Sequence, residues 1–188
     1  MSPTILKREP LYRGFLNLTA LTARTEEGEV RREIEHHGAA SAVLCYDPER
    51  RVALMVRVLR FGPLLEGAEA VLLEAAAGMI DAGETPEAAA RREVQEEMGL
   101  AITTLEPVAA VWSTPGVSSE RIHLFLAPYA ASDRTGPGGG KAEEREGLTP
   151  VELPLAEAWR RFEAGELTDL KTAALLQALR LRRAELFQ

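Results

Sequence analysis

Three closely spaced glutamates, Glu93, Glu96 and Glu97, are the residues of this sequence best suited to carry chemistry. If the segment is helical, Glu96 and Glu97 lie about one turn from Glu93 and the three carboxylates share a face. Like charges on one patch repel one another unless a cation lies between them, and hard oxygen ligands suit magnesium or manganese. The spacing therefore predicts a divalent metal site. For the helix taken alone, the alternative is a solvated acidic face.

The helix that would position these carboxylates has clear boundaries in the sequence. Thr85 supplies a hydroxyl cap, and Pro86 occupies the first helical position, where no backbone donor is lost. Gly99 can take the left-handed conformation that ends a helix without steric cost. The helix is therefore predicted to run between Thr85 and Gly99. An adjacent apolar stripe would anchor it to a core: Ala90, Val94 and Met98.

The helix is part of a longer pattern of fixed spacing over residues 78–100. Its constrained positions are Gly78, Glu84, Arg92, Glu93, Val94, Glu96, Glu97, Gly99 and Leu100. This stretch resembles the Nudix box at every one of these positions. A pattern with so many constrained positions is far more specific than a short motif. The resemblance implies a hydrolase of the Nudix family, with an α/β fold in which a mixed β-sheet is sandwiched between helices.

The flanking segments extend the resemblance over nearly the whole chain. VRVLRFG before the box, LLEAAAGM leading into it and STPGVSSERIHLFLA after it resemble the nucleoside-diphosphate-sugar branch, which includes ADP-ribose and GDP-mannose pyrophosphatases. Pro115, fifteen positions after the box, resembles the marker of that branch. GGGKAEERE, VELPLAEA and GELTDLKTAALL are closer to the GDP-mannose group. The resemblance implies hydrolysis of a nucleoside diphosphate sugar to a nucleoside monophosphate and a sugar phosphate, with GDP-mannose favoured and ADP-ribose as the alternative.

The same resemblance implies a metal centre and its ligands. Glu93 and Glu97 would bind Mg²⁺ or Mn²⁺, with Glu96 assisting and the backbone carbonyl of Ala77 contributing. Arg92 would orient these glutamates through charge-assisted hydrogen bonds. Hydrolysis of the pyrophosphate bond then depends on the metal to neutralise charge and to lower the pKa of the attacking water.

The resemblance also implies residues for proton transfer and for substrate binding. Glu144 or Glu146, on the loop after the glycine run, would act as the base for the attacking water. The connection after this loop is longer than in the resembled group, so the choice between the two stays open. Arg60 and Glu74 would contact the substrate, with Arg60 at a phosphate, and Glu120 would lie near the terminal sugar.

Two rival functions share the expected fold. A Nudix-like domain can serve as a non-catalytic nucleotide-binding regulator, but such modules commonly lose box glutamates, and none is lost in this sequence. An isopentenyl-diphosphate isomerase needs a catalytic cysteine near its substrate. The single cysteine, Cys45, lies in an apolar segment that is predicted to be a core strand. The hydrolase is therefore the preferred interpretation.

Composition narrows the function further. A chain of 188 residues with 46% hydrophobic residues can form one domain with a substantial core. The net charge of -7 argues against a general nucleic-acid binder, which would present a basic face. A single cysteine fits a reducing compartment, and neither a signal peptide nor a membrane span is evident. The expectation is a cytoplasmic protein with no nucleic-acid or membrane partner.

The chain is predicted to comprise an N-terminal β-hairpin extension, residues 1–38, and the Nudix domain, residues 39–188. The hairpin turns at Glu26, Glu27 and Gly28. Because a lone hairpin cannot bury both faces, it is expected to pack on the domain or on a second subunit. Relatives in the resembled branch build a two-fold dimer with such a segment, which implies a homodimer. Strands are predicted at 40–46, 51–59, 71–75, 105–112, 122–129 and 151–154, helices at 155–164 and from 168 or 169 through Leu186, and loops at 61–70, 113–120 and 130–149.

Overall fold

The computed structural model of the protein describes residues 2–140 and 147–188. Within those ranges the strands are β1 (Thr4–Arg13), β2 (Asn17–Thr25), β3 (Gly28–His36), β4 (Ala39–Asp47), β5 (Val52–Leu59), β6 (Val71–Glu74), β7 (Ala76–Met79), β8 (Glu106–Trp112), β9 (Arg121–Pro128) and β10 (Thr149–Pro154). The α-helices are α1 (Phe61–Leu65), α2 (Pro86–Glu93), α3 (Leu155–Glu163) and α4 (Leu170–Arg182). A π-helical turn (Val94–Met98) continues α2, and 3₁₀ turns cover Ala131–Asp133 and Ala184–Phe187.

The chain divides into two compact units. The smaller unit contains the residues up to Ala40 together with Ala110–Ile122, and the larger unit contains Ser41–Ala109 and His123–Gln188. The second segment of the smaller unit comes from the middle of the chain. The prediction of a single boundary after residue 38 did not foresee such a division, and that boundary stays a prediction.

The smaller unit contains a three-stranded antiparallel sheet in the order β1-β2-β3. β2 and β3 form the predicted hairpin, in which Thr25 and Gly28 face each other across the turn. Gly28 has a φ of 118°, a conformation that favours glycine. β1 adds a third strand that the sequence pattern did not separate from the hairpin, and Pro10 lies on this edge strand, where a missing amide is tolerated.

The central sheet has seven strands. β10, β5, β4, β9 and β8 follow one another in that order, while β6 pairs with β5 and β7 with β4. β10 and β4 are both antiparallel to β5. Nearly every residue of β4 is buried, as a strand covered on both faces requires. Strands and helices thus form the mixed α/β architecture that the sequence predicts.

The core fixes the position of the segment that carries the glutamates. Ala90, Val94 and Met98 are fully buried and belong to one apolar cluster with Val43 and Val56 of the central strands. Burial of a side chain such as Val94 or Met98 contributes about 1.5–3 kcal/mol to folding. The predicted apolar stripe is confirmed, and it anchors α2 and the π-helical turn to the sheet.

Some predicted elements differ in type or extent from those of the structure. The predicted loop 61–70 contains the one-turn helix α1. Pro63 lies in the first turn of this helix, where its missing amide is tolerated. The last helix ends at Arg182, since Arg183 has φ −143° and ψ 53°. Leu186 therefore lies in a separate 3₁₀ turn, although it remains buried as its apolar character predicted. Among the described residues, no helix is long and apolar enough to cross a bilayer.

Candidate active site

The helix that carries the glutamates begins and ends as the sequence predicts. The Thr85 hydroxyl accepts a hydrogen bond from the amide of Ala88 at 3.2 Å, and Gly99 has the left-handed φ of 66°. Between them, however, the last turn is π-helical over Val94–Met98. Such turns occur mostly as single insertions in α-helices and often at functional sites. Glu96 and Glu97 both lie in this wider turn.

Arg92 joins three of the box carboxylates. Its guanidinium donates to both carboxylate oxygens of Glu84, at 3.1 and 2.9 Å, and to Glu93 Oε1 at 2.5 Å. A longer bond of 3.4 Å reaches Glu96 Oε2, and the carbonyl of Met79 accepts from Nη2 at 2.8 Å. We call Arg92, Glu84, Glu93 and Glu96 the Arg92 cluster. The hydrogen bonds that Arg92 donates to Glu84, together with the charges of Glu84 and Glu93, hold the pKa of Arg92 above its ordinary value.

The remaining box carboxylate, Glu97, is buried against β7. Its relative exposure is 5%, and its Oε2 accepts a hydrogen bond from the amide of Ala77 at 3.2 Å. Gly78, the first residue of the box, lies in the same strand, β7. A Cβ atom at Gly78 would overlap the carboxylate of Glu93, so a larger residue there would force this carboxylate to move. The structure therefore brings Ala77, Glu93, Glu96 and Glu97 into one neighbourhood.

The donor chemistry of this neighbourhood fits a divalent cation. It offers carboxylate oxygens, the hard ligands that Mg²⁺ and Mn²⁺ prefer. In the part of the chain that the structure describes, no three acidic, histidine or cysteine side chains converge as metal ligands. Arg92 forms ion pairs with Glu84, Glu93 and Glu96. The two glutamates predicted as the base, Glu144 and Glu146, lie outside the described residues.

A glycine-rich segment covers the C-terminal end of the π-helical turn. Residues 135–140, which we call the glycine strap, run along the carbonyls that the helix leaves unpaired. The amide of Gly139 donates to Glu97 O at 2.8 Å, and that of Gly140 donates to Glu96 O at 3.0 Å. The amide of Thr135 donates to Gly99 O at 2.8 Å. The predicted loop thus contains an ordered backbone contact with the helix of the box.

A second charged cluster surrounds Glu74 at the end of β6. Arg60 donates two hydrogen bonds of 2.9 Å to the two carboxylate oxygens of Glu74, and Lys171 donates to Glu74 Oε2. Lys171 also donates to Asp169 at 2.8 Å, and Asp169 caps α4 by accepting from the amide of Thr172 at 2.9 Å. We call Arg60, Glu74, Asp169 and Lys171 the Glu74 cluster.

Burial and charge oppose each other at Glu74. The residue is 1% exposed, and burial by itself raises the pKa of its carboxyl. The hydrogen bonds from Arg60 and the charge of Lys171 outweigh burial, so the pKa of Glu74 lies below its ordinary value. Glu74 is thus ionised at neutral pH.

The third predicted substrate residue, Glu120, belongs to the smaller unit. There the ring of His37 bridges two carboxylates, with Nδ1 bonded to Glu35 and Nε2 at 3.3 Å from Glu120 Oε1. The Ser118 hydroxyl donates to Glu35 Oε2 at 2.6 Å. Burial lowers the pKa of His37, but its hydrogen bond and charge interactions with Glu35 and Glu120 outweigh burial and raise this pKa.

Sequence reasoning missed two features of these sites. Lys171 and Glu74 are partners although 97 positions separate them, and no local spacing could have paired them. The three consecutive glycines at 138–140 lie in the predicted loop 130–149, and the sequence did not predict their contact with the box helix. The only available signal was the length of the run, because repeated glycine is also required where two backbones approach closely.

Comparison with known proteins agrees with this fold. The NUDIX domain family model matches residues 35–173, and the chain therefore belongs to the Nudix family. The chain is 36% identical to the GDP-mannose pyrophosphatase of Cronobacter sakazakii, over 95% of either protein. It is 35% identical to the ADP-ribose pyrophosphatase of Haemophilus influenzae, over 98% of this chain and 88% of that protein. A solved structure of an ADP compounds hydrolase has the same fold, with a TM-score of 0.77 at 23% identity, covering 98% of this chain and 96% of that one.

Proposed function

We propose that this protein is a pyrophosphatase that cleaves nucleoside diphosphate sugars to a nucleoside monophosphate and a sugar phosphate. The observation that carries the proposal is the intact box: Arg92 holds Glu84, Glu93 and Glu96 together, with Glu97 buried beside them. Similarity to pyrophosphatases over most of the chain supports the same reaction. A purely binding module would have no need for this concentration of carboxylates.

We expect Glu93, Glu96 and Glu97, with the carbonyl of Ala77, to hold Mg²⁺ or Mn²⁺. When bound, such a cation neutralises charge on the pyrophosphate and lowers the pKa of water. The protein supplies the positions of the ligands. The amide of Ala77 holds the carboxylate of Glu97, and Arg92 orients Glu93 and Glu96 by charge-assisted hydrogen bonds.

Proton transfer requires a base near the attacking water, and Glu144 and Glu146 are the residues proposed for it. A carboxylate can accept the proton as the water oxygen attacks phosphorus. Both residues follow the glycine strap in sequence, and the strap itself is bonded to the backbone of Glu96 and Glu97. This continuity supports the assignment, while the choice between the two glutamates remains a prediction.

The proposed substrate contacts are Arg60, Glu74 and Glu120. The side chain of Arg60 is 38% exposed and planar, which suits a phosphate oxygen, while Glu74 fixes its orientation through two hydrogen bonds. Direct contact of Glu74 with the substrate stays a prediction. We propose GDP-mannose as the preferred substrate, with ADP-ribose second. A relative named GDP-mannose pyrophosphatase matches the chain at 36% identity, and one named ADP-ribose pyrophosphatase matches it at 35%.

We propose that the protein is a homodimer in the cytoplasm. The strand β1 and the turn after it expose several apolar side chains, including Tyr12 at 58% and Phe15 at 93% relative exposure. Apolar residues grouped on an exposed edge strand favour contact with another chain. The fully buried, unpaired Cys45 is compatible with a reducing compartment. Light scattering of the intact protein tests the dimer, and a monomer at micromolar concentration would contradict it.

A substrate panel tests the function directly. Release of phosphomonoester in the presence of Mg²⁺ should be fastest with GDP-mannose, slower with ADP-ribose, and slowest with nucleoside triphosphates and diadenosine polyphosphates. The comparison uses kcat/KM, since this ratio measures discrimination between substrates. A preference for ADP-ribose would overturn only the choice of sugar nucleotide. A clear preference for triphosphates would overturn the assignment to sugar nucleotides, and absence of hydrolysis would favour the binding module.

A further inference from the structure

The glycine strap and the box helix meet backbone against backbone. A Cβ atom added at Gly138 would overlap the carbonyl oxygen of Glu97 and approach the carbonyl carbon of Met98. From the other side, a Cβ atom at Gly99 would overlap the carbonyl group of Gly136. Contact this close is possible only because the strap has glycine at Gly138 and the helix ends in glycine at Gly99. The glycine run is therefore required by packing and does not merely provide freedom of movement.

The strap also satisfies hydrogen-bonding groups that a helix end cannot satisfy alone. The last carbonyls of a helix have no intrahelical partner, and the π-helical turn adds to this need. Two of these carbonyls belong to Glu96 and Glu97, and the amides of Gly140 and Gly139 donate to them. A side-chain bond of 2.7 Å from Gln95 to Thr135 reinforces the contact. The strap thus holds Glu96 and Glu97 through hydrogen bonds to their backbone carbonyls.

We propose that Gly138 is a positioning residue, whose lack of a side chain lets the strap fix the carboxylates of Glu96 and Glu97 for cation binding. This inference rests on the proposed function, in which those two residues bind a divalent cation. Displacement of the strap would move the backbone of Glu96 and Glu97 together. The carboxylates would keep their chemical identity and lose their shared geometry, which ligand placement cannot tolerate.

The experiment compares Gly138→Ala with a matched control, Gly165→Ala. Both glycines are left-handed, with φ of 70° and 75°, so an alanine meets similar backbone strain at either site. Only at Gly138 does the added Cβ meet the box helix, since nothing lies within 4 Å of a Cβ at Gly165. The difference between the two variants therefore isolates the contact with the strap.

Two readouts separate positioning from general stability. Binding of Mn²⁺ alone, measured by electron paramagnetic resonance, should weaken by about 10- to 100-fold in Gly138→Ala, as for residues that orient metal ligands. With GDP-mannose and Mg²⁺, kcat should fall by about 100-fold while KM changes by less than about threefold. Gly165→Ala should keep Mn²⁺ affinity and kcat within about twofold of the wild type at a temperature where it is folded.

A second variant decides the matter if Gly138→Ala does not fold. The three atoms nearest to a Cβ at Gly140 all belong to the side chain of Leu148, so we expect the double variant Gly140→Ala, Leu148→Ala to keep the backbone bonds of the strap. This double variant should fold and retain Mn²⁺ affinity within about threefold, because its strap keeps the amide bonds to the carbonyls of Glu96 and Glu97. Equal Mn²⁺ affinity in Gly138→Ala and Gly165→Ala would overturn the inference, as would loss of Mn²⁺ binding in a folded double variant. If the wild type hydrolyses no sugar nucleotide, but Mn²⁺ binds more weakly to Gly138→Ala than to Gly165→Ala, only the proposed function is overturned.

Discussion

The Arg92 cluster and the Glu74 cluster use the same residue types with a different balance of charge. Among the residues that the structure describes, the Arg92 cluster sets three carboxylates against one guanidinium, and Glu97 lies beside it as a further buried carboxylate. The Glu74 cluster sets two carboxylates against two cations. In the Glu74 cluster the two described cations match the two carboxylates, which favours a role in holding side chains in place. Around Arg92 the carboxylates outnumber the cations that the structure describes there, and we expect this difference in charge balance to favour a divalent cation at the Arg92 cluster.

The largest predicted effect is the loss of activity in Glu97→Gln. The change removes one negative charge and keeps the shape of the side chain, so kcat/KM with Mg²⁺ should fall on the order of a thousandfold. The matched control is Glu87→Gln, an exposed carboxylate in the first turn of the same helix, which should leave kcat/KM unchanged. Turnover near that of the wild type in Glu97→Gln would show that the surplus charge has no catalytic purpose.

The next largest effect concerns the two glutamates after the glycine strap. Glu144→Gln and Glu146→Gln should differ, because only the base contributes to proton transfer. The variant that removes the base should lose about 100-fold or more in kcat with less than about a threefold change in KM. Steady-state kinetics on both variants measure this split. Two variants with wild-type kcat would exclude the loop from catalysis and leave the Arg92 cluster to act without it.

The free energy of unfolding should change more in Glu74→Gln than in Glu97→Gln, although Glu97→Gln should have the larger effect on activity. Glu74→Gln leaves Arg60 and Lys171 without their shared buried partner, so the free energy of unfolding should fall by about 3 kcal/mol. Without metal, Glu97→Gln should change this free energy by less than about 1 kcal/mol, because relief of repulsion offsets the weaker bond to Ala77. Urea unfolding monitored by circular dichroism measures both. A larger loss in Glu97→Gln would contradict the distinction drawn from charge balance.

The pH dependence of stability follows from the lowered pKa of Glu74. A carboxyl whose pKa is lower in the folded than in the unfolded state stabilises the protein above its unfolded pKa. That contribution is lost as the pH falls from about 4.5 through the folded-state pKa. Glu74→Gln should therefore lose less stability than the wild type between pH 5 and pH 3. Equal losses in both proteins would show that other carboxylates govern acid unfolding.

The smallest effect is expected at His37 in the smaller unit, where two carboxylates flank one imidazole. Because the pKa of His37 is raised on folding, its contribution is full below the unfolded pKa of about 6.5 and is lost as the pH rises through the folded-state value. His37→Gln should cost about 0.5 kcal/mol more at pH 5.5 than at pH 9. Urea titrations at the two pH values check this, and a cost that did not vary with pH would show that Glu35 and Glu120 do not act through the charge of His37.

The sequence was sufficient to predict what depends on local spacing. The caps at Thr85 and Gly99, the buried stripe and the neighbourhood of Arg92 with its glutamates all follow from distances of a few residues along one helix. The π-helical turn could not be predicted, since it is accompanied by amides of a strap about forty residues away. The pairing of Glu74 with Lys171 could not be predicted either, because opposite charges at long separation have many alternative partners.

The position of Arg92 has a practical consequence for handling the protein. Its guanidinium donates hydrogen bonds to Glu84, Glu93 and Glu96, so we expect these acidic side chains to keep their positions in the folded chain without a bound metal. Treatment with a chelator should abolish turnover, shift the melting temperature by only a few degrees, and be reversed when Mg²⁺ is added back. We therefore expect a chain made while the metal is scarce to fold without it and to become active once Mg²⁺ is supplied.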